Sequence, residues 1–121
     1  MRTEITKITE AIESLVVGVQ SKPAVENGLE YVIIRGKYSG ATAGFLKSQE
    51  GSEVILLQAR KLWYWSGAAS LYELADRGVS KPENCKFPKI ISEVKILDCV
   101  EVIKVSESGR KSIEGVKIWT A

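Results

Sequence analysis

The sequence predicts an α+β fold: an antiparallel β-sheet with an amphipathic N-terminal helix and a short second helix, assembled as an oligomer. Three features predict it. Apolar residues recur with helical period over 3–20. Branched and aromatic runs separated by glycine-containing turns follow from residue 29 onward. An apolar stripe that must lie on its own sheet or on another subunit, together with one overlong strand, then suggests contacts between chains. At 121 residues the chain has the size of one domain, 1–121, with the helix over about 3–20 and a β-rich, ligand-binding body over about 29–121.

The first element rests on Ile5, Ile8, Ile12, Leu15, Val16 and Val19, which fall on one helical face. Thr3 is placed to cap it, Glu4 suits the positive end of its dipole, and Pro23 stops it by Ser21. "LEYVIIRG" reads as a strand over 29–36, with a turn near Gly36–Gly40. "ATAGFLKSQEG" is a second strand, ending in a turn near Glu50–Ser52. "EVILLQA", apolar on both faces, is a third and central one. Ser66 or Ser70 caps a short helix whose buried side is Leu71, Leu74 and Ala75 and which ends at Gly78. Pro82 and Pro88 keep Cys85–Phe87 on a loop. The run 92–105 is longer than an ordinary strand, so it contains a bend or a bulge, or it pairs beyond its own subunit. A helical turn at 107–114 and a final short strand complete the chain.

Composition excludes several functions. The net charge of +2 is too small for general nucleic-acid binding, and no apolar run reaches membrane-spanning length. The N-terminus has no signal-peptide core, so the protein is expected in the cytoplasm. Without histidine the usual catalytic triads and most histidine zinc sites are ruled out. Cys85 and Cys99 form no CxxC pair and are expected to be free and buried. Asp76, Glu83, Asp98 and Glu101 show no spacing suited to acid–base chemistry, and no phosphate-cradling glycine loop is present. We therefore expect no enzyme, no metal and no cofactor.

The binding candidates are aromatic and basic. If 60–65 is extended, Trp63 and Trp65 face one way while Leu62 and Tyr64 face the other. That cluster serves either as packing or as a stacking surface beside Arg60. Phe87, held by a following proline, is either a hydrophobic plug or a ring exposed on its loop. Arg110 and Arg35 are the guanidinium candidates for phosphate.

The run "ARKLWYWSGAASLYELADRGVSKPENCKFP" (59–88) resembles a small domain common in bacteriophage and prophage genomes. In that domain an R-x-L-W-Y-W-S-G-A motif precedes a short helix and a P-E-N-C-K-F loop. The similarity extends from about residue 30 to the C-terminus. It is identified with the phage anti-defence proteins that counter Thoeris immunity. The resemblance implies a sponge that traps the cyclic ADP-ribose isomer made by the defence system, without cleaving it. Some such proteins also trap cyclic trinucleotides of CBASS signalling in a second pocket. It further implies a homodimer or homohexamer in the host cytoplasm, with ligand held where subunits meet. On this resemblance Phe87 stacks on adenine and Asn84 bonds a base edge or ribose hydroxyl. Arg110 and Arg35 grip phosphates, and Arg60 serves the second pocket. The alternative is a phage protein that inhibits a host protein through its aromatic patch.

Overall fold

A computed structural model describes residues 22–121. The expected helix over 3–20 lies outside the described residues. The body is α+β: six strands in one antiparallel sheet, with two helices on its outer face. The strands are β1 (Val25–Glu26), β2 (Leu29–Gly36), β3 (Gly40–Glu50), β4 (Glu53–Lys61), β5 (Ile91–Ile96) and β6 (Cys99–Lys104). The helices are α1 (Leu71–Arg77) and α2 (Glu107–Gly115).

Local chemistry explains the joins. Asn27 and Gly28 adopt φ of 53° and 78°, the two left-handed residues that a tight β1–β2 hairpin requires. Ser70 caps α1 by accepting from the Glu73 amide, so of the two predicted caps the second is used. Ser106 caps α2 by accepting from the Gly109 amide at 2.9 Å, while its hydroxyl donates to the Asp76 carbonyl at the end of α1. One serine thus starts one helix and ties it to the other.

The run 92–105 contains both a bend, at Leu97–Asp98, and a bulge at Val100, where Glu101 pairs with Arg35 and Cys99 with Gly36. β5 pairs with β4 and β6 pairs with β2, although only Leu97 and Asp98 separate them. The chain passes from one end of the strand order to the other in two residues, so the sheet curls into a small barrel-like body. The Cys99 amide donates to the Ser52 carbonyl at 3.0 Å, and the Lys37 amide to the Asp98 carbonyl at 2.9 Å, locking this crossing to both neighbouring turns. Gly36 makes room for it, since a Cβ there would lie 2.7 Å from an Asp98 carboxylate oxygen.

This curl creates two cores, and β2 serves both. Val32 and Ile34 point inward to Val54, Leu56, Ala59, Ile96 and Cys99. Tyr31 and Ile33 point outward beneath the helices to Phe45, Leu74, Phe87, Val105 and Ile113. A strand buried on both faces must be apolar at every position, which explains the unbroken "YVII". Both cysteines are free and buried. Among the described residues, no helix is long and apolar enough to cross a membrane. The expected C-terminal strand is reduced to a single bridge between Phe87 and Ile118, because α2 runs on to Gly115 and leaves few residues to pair.

Candidate functional site

The inner face of the curled sheet opens to solvent along a groove of about 550 Å³. Its floor is apolar. Ala59 of β4 and Val94 and Ile96 of β5 belong to the inner core, and Ile91 and Leu97 stand exposed on its walls. Thr42 of β3 supplies a buried polar position. Three lysines surround this floor: Lys61 at the end of β4, Lys89 before β5, and Lys95 on β5. Lys95 is 3.6 Å from Glu53, whereas Lys61 donates to the Ser39 carbonyl and has no carboxylate partner among the described residues.

The lining holds one acid. The Asp98 carboxylate accepts from the Ser39 hydroxyl at 2.6 Å and from the Tyr38 and Ser39 amides at 2.7 and 2.9 Å. These hydrogen bonds, the hydroxyl first, pull its pKa down to about 2, so it is ionised but its lone pairs are engaged. With Lys95 paired to Glu53, Lys61 and Lys89 stand against the one ionised and hydrogen-bonded carboxylate of Asp98, which leaves the groove modestly positive over an apolar floor. That combination suits a ligand with a flat apolar part and negative charge.

The bulge opposite Gly44 determines where Arg60 goes. Ala43 pairs with Arg60 and Phe45 with Leu57, so β4 carries one extra residue, and Gln58 takes up the strain at φ 51°. The alternation flips there. Ala59 turns into the inner core, and Arg60 and Leu62 turn beneath the helices. Strand β4 ends at Lys61, and although Tyr64 still bridges Lys86, burial no longer alternates through the aromatics. Leu62 is buried, Trp63 and Tyr64 are 66% and 52% exposed, and Trp65 packs partly against the outer core.

The residues singled out in the sequence fall on separate parts of this fold. Phe87 is fully buried, and the expectation of a ring exposed for stacking is corrected. Bridges from Tyr64 to Lys86 and from Phe87 to Ile118 fold the loop inward, which makes Phe87 the plug. Arg60 is buried as well. Its guanidinium donates to the carbonyls of Pro88, Ile113 and Phe87 at 2.8, 2.8 and 3.0 Å, and lies 5.6 Å from the Phe87 ring centre. Burial lowers its pKa, but those carbonyls stabilise the cation. It clamps β4 to the 87–88 segment and the end of α2.

Arg110 on α2 is held by Glu107, Glu26 and Glu114 at 2.9, 3.0 and 3.2 Å. Its charge is more than matched, so a phosphate would have to displace a carboxylate. Its bond to Glu107 raises the Arg110 pKa, and burial raises that of Glu114. Arg35 is half-exposed on β2 and donates to Glu101 at 2.9 Å. Asn84 is exposed at the end of a single 3-10 turn, Pro82–Asn84. Of the five residues, the fold brings only Phe87 and Arg60 into contact. The groove lysines escaped sequence reasoning because nothing in "FPKIISEVKILD" announces that β5 curls toward the β2–β3 turn. The one available signal was three lysines (61, 89 and 95) at the ends or on the exposed side of apolar strands.

The chain belongs to the family described as a domain of unknown function (DUF6948), whose model matches residues 29–113, from the start of β2 into α2. No curated protein and no solved structure matches it.

Proposed function

We propose that this member of the family binds an anionic cyclic nucleotide in the inner groove and sequesters it without cleavage. A cyclic ADP-ribose isomer or a cyclic oligonucleotide has the required chemistry: a flat base and closely spaced phosphates. The observation that carries the reading is the groove itself, an apolar floor of about 550 Å³ bordered by Lys61, Lys89 and Lys95. A base covering about 100 Å² of apolar floor gains about 2.5 kcal/mol. Each lysine–phosphate contact adds about 1.5–3 kcal/mol. Nanomolar affinity needs about 12 kcal/mol, so enclosure by a second subunit is part of the proposal. The working form is then a homodimer or homohexamer, acting in the host cytoplasm as a phage anti-defence sponge.

Native mass spectrometry with cyclic ADP-ribose isomers and cyclic di- and trinucleotides tests this directly. The expected result is retention of intact ligand, recovered unchanged after heat denaturation. Lys61→Glu is expected to weaken binding by at least about tenfold. Failure to retain any of these ligands at micromolar concentration would overturn the proposal, and a linear product in the released fraction would replace it with an enzyme.

A further inference from the structure

We infer that the edge Trp63–Trp65 is a docking strand for an extended acidic segment of a partner protein, an interaction separate from the groove. Tyr64 and Lys86 pair across this edge, with the Tyr64 amide donating to the Lys86 carbonyl at 3.4 Å and the Lys86 amide to the Tyr64 carbonyl at 2.7 Å. Peptide groups of successive residues in an extended segment point to opposite sides. Those of Trp63 and Trp65 therefore point away from Lys86, and neither residue makes a backbone hydrogen bond among the described residues. This is an unpaired edge on the protein surface, the feature that strand addition uses.

The side chains specify the partner's chemistry. Trp63 and Tyr64 are exposed, as is Ile118, two bridges away across Lys86–Phe87. Lys86 lies 5.8 Å from the Tyr64 ring and 5.6 Å from the Trp119 ring. Two aromatic faces hold its ammonium group in place, and no carboxylate pairs with it among the described residues. Lys117, next to Ile118, is exposed and has no ion pair among the described residues either. A partner strand carrying glutamate or aspartate at alternate positions would satisfy the open backbone groups, bring a carboxylate to the Lys86 ammonium held over the Tyr64 ring, and set an apolar position on Trp63, whereas Lys117 and Ile118 lie beyond the 86–87 segment and take no part.

All three tryptophans lie on or beside this edge, so intrinsic fluorescence reports on it without a label. The experiment titrates the full chain with a peptide alternating glutamate and valine, and with a control alternating lysine and valine. Saturable quenching by the acidic peptide alone is expected. Lys86→Glu and Trp63→Ala are each expected to weaken it at least about tenfold, with Lys111→Glu on α2 unchanged. Far-UV circular dichroism on each variant shows that the fold is intact. Equal response to both peptides, or indifference to Lys86→Glu in a folded variant, would overturn the inference. So would sedimentation showing that a second copy of the chain already covers the edge, or tighter binding of single-stranded DNA than of the peptide. Because the peptide titration omits nucleotide, it can fail while the groove still binds its ligand, and the reverse.

Discussion

Replacing Arg60 with methionine isolates the role the fold gives this residue. Methionine fills most of the same volume but donates nothing, leaving the Pro88, Ile113 and Phe87 carbonyls without the guanidinium. An unsatisfied buried acceptor costs about 1–3 kcal/mol, and the loss of the contact with the Phe87 ring adds about 0.5–1 kcal/mol. Three acceptors give a cost of about 4 kcal/mol once relaxation and water entry at the half-buried Pro88 are allowed for. That is a large part of the 5–15 kcal/mol that holds a domain of this size together. Urea unfolding followed by tryptophan fluorescence reads it as a midpoint lower by about 2 M, for a slope near 2 kcal/mol/M. Arg60→Lys recovers only part, because one ammonium cannot reach three carbonyls on two segments. A methionine variant within about 1 kcal/mol of the parent, at unchanged slope, would refute the clamp and return Arg60 to the candidate ligand groups.

Two further perturbations follow from the geometry. Gly109→Ala places a Cβ 2.3 Å from the Ala75 carbonyl oxygen, where the helices touch. The forced separation is expected to cost about 2–3 kcal/mol and to lower the melting temperature by roughly 10 °C in a scanning calorimeter. Asp98 has a folded pKa near 2, below its ordinary value of 3.8, so its contribution to stability is present above the ordinary value and disappears as pH falls through about 2. Asp98→Asn is expected to flatten the loss of stability between pH 4 and pH 2, and an unchanged acid-unfolding curve would contradict the assignment.

Much of the fold was legible because its signals are local. The meander from 29 to 61 follows from branched residues and turn chemistry, and both helices announce themselves through Ser70, Gly78 and the 107–114 pattern. The site was less legible because it depends on events between distant strands. Gln58 is an ordinary residue in the sequence, yet its left-handed backbone reverses which face Arg60 occupies. Phe87 looked exposed because its loop is framed by prolines, while two single bridges to segments far along the chain bury it. Arg110 is a phosphate candidate by residue type, and although the helical spacing of Glu107 and Glu114 already offers it two acids, the third, Glu26, lies 84 positions away. The groove likewise exists only once β5 has turned beneath the β2–β3 loop.

The two-residue crossing at Leu97–Asp98 also determines when the molecule can be complete. The meander β2–β3–β4 can form as soon as it leaves the ribosome, since each strand pairs with the next. The far edge of β2 over 32–36 must wait for β6, and Arg35 meets Glu101, 66 positions further along the chain. At about 5–20 residues per second, translation leaves that edge uncovered for roughly 3–13 s in every new chain. Neighbouring nascent chains on one message could pair through it during that interval. Mispairing through this edge of β2 therefore belongs to synthesis, before residue 104 has been made.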